Sequence, residues 1–369
     1  MTTETIEQVR VRSVEIVVGV TVAVDVAPPS KRRRSLRALG GFLGALVVMN
    51  IALATILEVG PVRLRDPEYG LRLQSLRERQ AQFPNRKLTV VLGSSRTAMG
   101  IRPDIYETSV IPTDNPPLLF NMSMAGAGPV FQRMTLERLL NDGVTPDAIL
   151  FEFWPALLRG DGLYREDRRM IPERLHTTDD PIVRDYFTDP AATRAQMRTN
   201  RLLPAWYNRR SLLEQFCPQL LPWSERTDGA WSTLDGWGWL PGRKTYTAEQ
   251  VERGWPHVAG FYAPLFQSFE IAPLAEKALH DCFGRCRELG IEVTLIALPE
   301  SARFRTLMTP ESIRLTDEYR HRLQTEWNIP FLDGRSWADD ASLPDGFHLT
   351  QDGAARFTRE LAPQLQPQR

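Results

Sequence analysis

The chain has 369 residues, and its basic and acidic residues are equal in number, so its formal net charge is zero and gives no support for a nucleic-acid partner. Three cysteines (Cys217, Cys282 and Cys286) are too few for a disulfide scaffold. We expect buried free thiols, with one bridge from Cys217 to either of the others as the alternative outside the cytosol.

An uncharged apolar run occupies residues 38–57, directly after the basic cluster at 31–34. Twenty helical residues span about 30 Å, the thickness of a bilayer's hydrocarbon core. We predict a transmembrane anchor over 37–59 and a disordered cytoplasmic tail over 1–34. The C-terminal bulk is then extracytoplasmic, which means periplasmic in a bacterium. A cleaved signal peptide and a buried core helix are the alternatives.

Short apolar runs alternate with helical periodicity over the rest of the chain, which we treat as one domain at 66–369. The predicted strands are 88–92, 118–121, 148–153, 292–298 and 330–333. The predicted helices include 66–82, 130–141 and 275–289. Near-continuous apolar strands that alternate with helices indicate an α/β fold. The expected architecture is a doubly wound parallel five-stranded sheet in a flavodoxin-like, three-layer α/β/α sandwich.

Residues of about 156–269 do not follow this alternation, because the segment contains no clear strand. It holds six of the nine tryptophans: Trp206, Trp223, Trp231, Trp237, Trp239 and Trp255. We predict a helical and loop insertion between the third and fourth strands, near the carboxyl edge of the sheet. Two interpretations of the tryptophans stay open. They form the insertion's own small core, or they line a substrate groove with aromatic walls.

Two motifs carry candidate chemistry. The sequence GSSR at 93–96 follows the first strand and places Ser95 at the carboxyl edge of the sheet. Asp345 and His348 share one turn after the fifth strand, which can return to the same edge. A serine nucleophile needs a histidine base whose imidazole is oriented by a partner on Nδ1. The ordinary alternatives are a polar turn for the first motif and a surface turn with a helix cap for the second.

These residues resemble the conserved blocks of the SGNH (GDSL-like) hydrolases. The Gly-Asp-Ser block corresponds to 93–95 with serine for aspartate, the glycine block to 121–128, and the Asp-x-x-His block to 345–348. The Gly-Ser-Ser-Arg variant with an N-terminal anchor is similar to a membrane-anchored branch, which includes the D-alanyl transfer protein of teichoic acids and O-acetylation factors of alginate and cellulose. The resemblance covers about 87–153 and 290–362.

The resemblance implies a triad in which Ser95 is the nucleophile, His348 is the general base and Asp345 orients His348. The implied activity is that of a serine acyl-esterase or an O-acyltransferase, with acetyl as the favoured acyl group. The implied substrate is a polysaccharide or another cell-envelope polymer. The implied partners are the membrane and a multi-pass membrane acyltransferase. We predict no cofactor, and the remaining histidines lack the spacing of metal ligands.

The resemblance also implies an oxyanion hole made by the backbone N–H groups of Ser95 and Gly126. Gly126 is preferred to Gly128 because Pro129 follows the latter, and Asn121 is a further candidate donor. Other side chains are assigned to a substrate site: Ser94, Arg96, Trp154 and Arg303. For Arg96 a structural ion pair is the alternative, and for Arg303 an exposed position beside a helix cap.

One family block has no counterpart. The third strand ends in the sequence FEFWP at 151–155, where the family has Gly-x-Asn-Asp. The asparagine that donates to the oxyanion is therefore missing. Two hypotheses follow: an anchored SGNH-type enzyme, or a catalytically inactive binding or assembly factor of an envelope polymer export or modification complex. In the second, the tryptophan-rich insertion is the contact surface.

Overall fold

A computed structural model describes residues 31–110, 115–159, 165–222, 230–242 and 244–365. Residues 1–30, which make up most of the predicted tail, and Trp223 lie outside these ranges. The strands are β1 Leu88–Leu92, β2 Leu118–Asn121, β3 Ala148–Glu152, β4 Glu292–Ala297 and β5 Phe331–Asp333. The helices are α1 Lys31–Val59, α2 Pro67–Gln82, α3 Ser95–Gly100, α4 Pro103–Ser109, α5 Pro129–Asn141, α6 Glu166–Arg169, α7 Asp180–Tyr186, α8 Pro190–Leu202, α9 Pro204–Tyr207, α10 Arg209–Phe216, α11 Ala248–Gln267, α12 Pro273–Leu289, α13 Ala302–Arg305, α14 Pro310–Trp327 and α15 Gln351–Leu361. Short 3₁₀ turns include Pro155–Leu158, Thr177–Asp179, Pro218–Leu220 and Asp340–Ser342.

The five strands form one parallel sheet in the order β2-β1-β3-β4-β5. Leu88 pairs with Leu118 on one side of β1, and Thr89 pairs with Ala148 on the other. The strand order reverses between β1 and β3, which makes their carboxyl ends the topological switch point of the sheet. The predicted α/β class and five-stranded parallel sheet are confirmed.

Side chains along the strands alternate between two cores, one on each face of the sheet. Val90, Leu92 and Phe151 pack with residues of α2, α5, α12 and α14. Val91 and Leu150 pack on the opposite face with residues of α4 and α15. Because both faces are covered by helices, the strands are apolar on both sides, which explains why they read as continuous apolar runs.

The cysteines are free thiols in the structure. Cys282 and Cys286 are buried one turn apart on α12, inside the first core. The hydrogen bond between them and their burial raise the pKa of Cys282 well above its ordinary value. Both thiols therefore behave as small core residues rather than as nucleophiles.

The N-terminal helix is the one described element that is long and apolar enough to cross a membrane. That stretch is Arg34–Val59, 26 residues long, and almost all of its most apolar window is exposed. This exposure argues against the buried core helix, because such a helix would hide its apolar side chains. The chain divides into two units between Met49 and Asn50, and the unit that begins at Asn50 contains the sheet and the insertion.

The insertion between β3 and β4 is helical, with α6 to α11 and short 3₁₀ turns in its described parts. Its own core contains Met170, Val183, Tyr186 and Met197, which pack against α5 through Met134. No described tryptophan belongs to this core. The described tryptophans therefore do not form a core of the insertion's own, and Trp223 lies outside the described residues.

The described tryptophans of the insertion have separate environments. Trp237 and Trp255 pack against the first core of the sheet. Trp239 is buried, and its indole N–H donates to the carbonyl of Met99 at 2.7 Å. Trp206, by contrast, is 62% exposed. Different parts of the insertion thus contact the sheet domain, and one tryptophan faces outward.

Candidate active site

Ser95 begins helix α3 at the switch point of the sheet. β1 ends at Leu92, and only two residues separate it from Ser95. A Cβ atom on Gly93 would collide with the hydroxyl of Thr97 and the carboxylate of Glu152, so only glycine fits this passage. The tight turn from strand to helix therefore brings Ser95 to the edge where open α/β sheets bind ligands.

Asp345 and His348 lie in a tight turn between β5 and α15. Oδ1 of Asp345 accepts hydrogen bonds from the backbone N–H groups of Phe347 at 3.2 Å and His348 at 2.8 Å. Gly346 has a φ of +96°, a conformation that favours glycine. These local contacts hold the carboxylate so that its second oxygen, Oδ2, lies 2.7 Å from Nδ1 of His348.

The histidine turn meets the serine across 253 residues of sequence. Oγ of Ser95 lies 2.7 Å from Nε2 of His348. Because the Asp345 carboxylate can only accept, Nδ1 of His348 carries the proton and Nε2 is the acceptor for the Ser95 hydroxyl. Ser95 and His348 are both half-buried and thus reachable by a substrate. The arrangement has the geometry of a nucleophile, a general base and an orienting carboxylate.

The charge state of Asp345 is set within this turn. Burial opposes its ionisation, but the hydrogen bonds from His348 and from the backbone N–H of Phe347 favour the charged form, and the pKa of Asp345 is lowered. A carboxyl whose pKa is lower in the folded protein than in the unfolded chain stabilises the fold at pH values above its unfolded pKa. That contribution is lost as the pH falls through the folded pKa.

We expect Asp345→Asn to lower kcat by about 10³–10⁴-fold, because asparagine would favour the wrong tautomer of His348. The unfolding free energy of the variant should also change less than that of the wild type between about pH 5 and pH 2, since this titration is removed. Ester-hydrolysis kinetics and urea unfolding measure the two effects. Asp352→Asn on the exposed side of α15 is the matched control. Wild-type kcat in Asp345→Asn would contradict the assigned role.

The backbone N–H groups of Ser95 and Gly126 are the two predicted oxyanion donors. The loop after β2 is held at the end of β1 by the N–H of Met124, which donates to the carbonyl of Gly93 at 3.0 Å. Gly126 in this loop has a φ of +75°. In the described part of the chain, neither the N–H of Ser95 nor that of Gly126 donates to a protein acceptor. Neither N–H group is therefore occupied by an acceptor among the described residues.

Asn121, the further candidate oxyanion donor, and Trp154, predicted to contact substrate, have other partners. Asn121 is fully buried, and its Nδ2 donates to the carbonyls of Thr97 and Ile101, both at 2.9 Å. The indole N–H of Trp154 donates to Oε1 of Glu300 at 2.6 Å. These contacts use the N–H groups that an oxyanion would need. The structure does not place either side chain as a donor to substrate.

Arg96 is buried rather than open to a substrate, with 1% of its surface exposed. Its Nη2 donates to the carbonyls of Leu298 at 2.8 Å and Pro299 at 2.9 Å, and its Nε donates to the carbonyl of Phe347 at 3.3 Å. Its Nη1 lies 3.6 Å from Glu300. This placement corresponds to the structural ion pair and not to a substrate contact.

Ser94 and Arg303 are also engaged elsewhere. Ser94 is buried and caps α3, because its Oγ accepts from the N–H of Arg96 at 3.2 Å. The N–H of Ser94 itself donates to the Glu152 carboxylate at 2.5 Å. Arg303 is exposed on α13 and forms an ion pair with Glu252 of the insertion. Neither side chain is presented toward the Ser95 hydroxyl by these contacts.

Glu152 supports the serine turn, a role that the sequence analysis missed. It ends β3, is 3% exposed, and also accepts from the hydroxyl of Thr97 at 3.2 Å. Its other oxygen lies 3.9 Å from Nη1 of Arg96. The available signal was a lone carboxylate at the end of an apolar strand, at the switch point. Glu152 thus occupies the region of the missing third block as a structural acceptor.

The insertion contributes charged residues next to the candidate oxyanion loop. Glu166 of α6 accepts from the backbone N–H groups of Gly128, Val130 and Phe131 at the start of α5. Burial raises the pKa of Glu166 to about 7, against the effect of these donors and of Arg169. A Cβ atom on Gly126 would collide with the guanidinium of Arg169, so this cation covers the loop. No periodicity in the sequence indicated either residue.

Aromatic rings surround the histidine turn. Tyr262 of α11 has ring-centroid distances of 4.9 Å to Phe347, 5.2 Å to Phe304 and 5.5 Å to Trp154. Burial raises the pKa of the Tyr262 hydroxyl above its ordinary range, so it stays protonated at neutral pH. The insertion therefore does supply an aromatic ring near the site, but from a tyrosine that the sequence analysis did not select.

Within the described ranges, no three histidine, cysteine, aspartate or glutamate side chains cluster as a possible metal-binding set.

A family model described as a protein of unknown function (DUF1574) matches residues 71–169, which include Ser95 but neither Asp345 nor His348. A search of curated proteins gives no match.

The solved structures that resemble the chain include three bacterial proteins. A Bacteroides fragilis protein assigned as an acylhydrolase is 12% identical, with 80% of this chain and 96% of that chain covered and a TM-score of 0.36. The lipase/acylhydrolase from Enterococcus faecalis is 13% identical, with coverage of 76% and 99% and a TM-score of 0.31. A carbohydrate acetylesterase family member from Sinorhizobium meliloti is 15% identical, with coverage of 75% and 97% and a TM-score of 0.30. Such low identities and TM-scores carry no argument about activity, so function is argued from the site.

Proposed function

We propose that the chain is an SGNH-type serine acyl-esterase or O-acyltransferase, anchored by α1 and acting on an extracytoplasmic polysaccharide or envelope polymer. The observation that carries the proposal is the chain of contacts from Ser95 Oγ through His348 to Asp345, with 2.7 Å at each step. The apolar helix at 34–59 supports the anchor. The polymer substrate rests on the resemblance of the GSSR and Asp-x-x-His blocks.

In the first half-reaction, Ser95 Oγ attacks the acyl carbonyl carbon while its proton moves to Nε2 of His348. The Asp345 carboxylate stabilises the imidazolium through the Nδ1–H hydrogen bond. The oxyanion is received by the N–H groups of Ser95 and Gly126, and a donor of this kind is typically worth about 10²–10³ in rate. When the tetrahedral species collapses, His348 returns its proton to the leaving alcohol.

The second half-reaction decides between hydrolysis and transfer. The acyl group now resides on Ser95 as an ester, and His348 is again neutral. A water molecule or a sugar hydroxyl attacks the ester carbonyl and gives its proton to Nε2. The C–Oγ bond then breaks, His348 returns the proton to Oγ of Ser95, and the product is a free acid in the first case and an acylated acceptor in the second. The same residues serve both outcomes, so the acceptor that reaches the site determines the reaction.

We expect the full-length protein in detergent to react with a serine-directed fluorophosphonate at Ser95, because a serine bonded to a neutral imidazole is an activated nucleophile. Mass spectrometry of the labelled peptide identifies the modified residue. Ser95→Ala should not label, whereas Ser109→Ala, an exposed serine on α4, should label like the wild type. Equal labelling of the wild type and Ser95→Ala would refute the proposed nucleophile.

The labelled serine does not by itself distinguish the two second steps. We therefore expect incubation with an activated acetyl ester and an acceptor oligosaccharide to give either acetate alone or an acetylated sugar, both detectable by mass spectrometry. Acetate alone identifies an esterase under these conditions. An acetylated sugar that is absent with Ser95→Ala identifies a transferase.

A binding or assembly factor is the second candidate, and the region of the third family block favours it. The Glu152 carboxylate accepts hydrogen bonds from the N–H of Ser94 and the hydroxyl of Thr97. The indole N–H of Trp154 donates to Glu300. Neither Glu152 nor Trp154 is thus presented as a side-chain donor in place of the family's asparagine. Absence of both labelling and turnover in a folded protein that retains polymer binding would support this candidate instead.

A further inference from the structure

An exposed apolar patch lies on consecutive helices of the insertion. Its members are Leu202, Leu203, Trp206, Phe216 and Leu220. Each is more than half exposed, and the segments that carry them, from α8 through α10 to the turn Pro218–Leu220, contact one another in sequence. A concentration of large apolar side chains at the surface marks a contact with a partner or a membrane.

The patch adjoins the C-terminal part of α1. The side-chain amide of Asn50 donates to the carbonyl of Leu202. Glu58 is bound from the insertion side by Thr177 at 2.8 Å and by Arg201 at 3.3 Å. Ala54 faces α8 and α9 across a small cavity. The segment from residue 50 to residue 58 is therefore packed along the insertion.

The position of Asn50 on α1 gives the depth at which the insertion would lie in a bilayer crossed by this helix. Leu57, where the apolar run of α1 ends, lies seven positions after Asn50, which corresponds to about 10 Å along a helix. If α1 crosses a bilayer, the carbonyl of Leu202 lies about 10 Å below the end of that run. Interfacial helices bury their apolar face to a depth of about 5–10 Å. The hydrogen bond from Asn50 also satisfies an amide that would otherwise be unpaired in hydrocarbon.

We propose that this patch is a second membrane contact, inserted into the outer leaflet of the phospholipid bilayer that α1 crosses. The proposal rests on the proposed anchor. Its chemistry fits lipid: Trp206 is a side-chain type enriched at membrane interfaces, and the guanidinium of Arg209 lies 4.3 Å from its ring, where it can meet a headgroup phosphate. With α1 and the patch both in the bilayer, the insertion is held at the membrane surface.

The test uses tryptophan fluorescence of the full-length protein in phosphatidylcholine nanodiscs, with and without bromine on the acyl chains. Bromine quenches only those indoles that reach the hydrocarbon. We expect Trp206→Phe to show much less bromine-dependent quenching than the wild type. The matched control is Trp255→Phe on α11, a ring that packs against the domain core, and its quenching should equal that of the wild type.

Three outcomes would overturn the proposal in different ways. Incorporation into nanodiscs with equal quenching in the wild type and Trp206→Phe refutes the patch but leaves the anchor intact. An unquenched Trp206 that is also shielded from aqueous acrylamide indicates a protein contact, such as a second copy of the chain. Failure to incorporate at all refutes the anchor and the patch together, without bearing on Ser95 chemistry.

Discussion

Ser95→Ala is expected to lower kcat for p-nitrophenyl acetate by about 10⁴–10⁶-fold. The reason is geometric. Oγ of Ser95 lies 2.7 Å from Nε2 of His348, the atom that would take its proton. Alanine removes the nucleophile and leaves the oxyanion donors, so a small residual rate above that in water should remain.

His348→Ala should cause a loss of the same size, and the double variant should be no slower than either single variant. Groups that act as a unit in one step show this non-additivity, because removing either one abolishes the covalent path. Steady-state rates of the full-length protein in detergent, corrected for spontaneous hydrolysis, give the comparison. Ser109→Ala is the control. Losses that multiply in the double variant would contradict a shared step.

The fold was largely predictable because a parallel sheet covered on both faces leaves a simple pattern. All five strands were located within one residue at each end. The small differences have local reasons: the fifth strand begins at Phe331 and not at Pro330, whose nitrogen has no hydrogen to donate to a ladder. The strand order could not be read from the pattern, since it depends on which crossovers pack together.

The site was predictable to different degrees. Asp345 and His348 are three residues apart, so their contact is local and visible in the sequence. The pairing with Ser95 followed from the rule that polar residues at the carboxyl ends of parallel strands meet at one edge. The orientation of Asn121 was not visible, because a buried amide at a strand end is satisfied by whichever carbonyls the tertiary fold brings near it.

The packing of the insertion could not be predicted from the sequence, because it too depends on tertiary contacts. Its helices bury their apolar residues against two different elements, α5 and the sheet domain, so no single periodicity dominates. The abundance of tryptophan suggested one cluster, but composition does not determine neighbours. Arg169 and Tyr262 became visible as site residues only when the fold placed them beside Gly126 and Phe347.

Arg96 shows how far a local interpretation can be from the structure. An arginine in a polar turn is usually exposed, yet this one is buried because its partners come from residues more than 200 positions later. It joins the end of β4, through the carbonyls of Leu298 and Pro299, to the histidine turn, through the carbonyl of Phe347. It therefore helps to hold His348 at its distance from Ser95.

Arg96→Ala is expected to cost about 3–5 kcal/mol of unfolding free energy, the usual effect of removing one partner from a buried ion pair. Glu300 makes the loss depend on pH. Burial raises the pKa of Glu300 although the charge of Arg96 acts to lower it. Because the pKa of this carboxyl is higher in the folded protein than in the unfolded chain, stability falls as the pH rises from the unfolded pKa toward the folded pKa. Without the Arg96 charge, stability should fall further over this pH range. The loss of unfolding free energy in Arg96→Ala relative to the wild type should therefore be larger at about pH 8 than at about pH 5.

Urea unfolding at the two pH values tests this, with Arg96→Lys as the second variant. Lysine keeps the charge near Glu300, so its pH dependence should resemble that of the wild type. The compact ammonium of lysine cannot donate hydrogen bonds to the carbonyls of Leu298, Pro299 and Phe347 together, as the planar guanidinium does. We therefore expect folded Arg96→Lys to lose kcat with little change in KM, since the His348 turn is less firmly held. Wild-type kcat in a folded Arg96→Lys would show that Arg96 stabilises the fold without positioning the base.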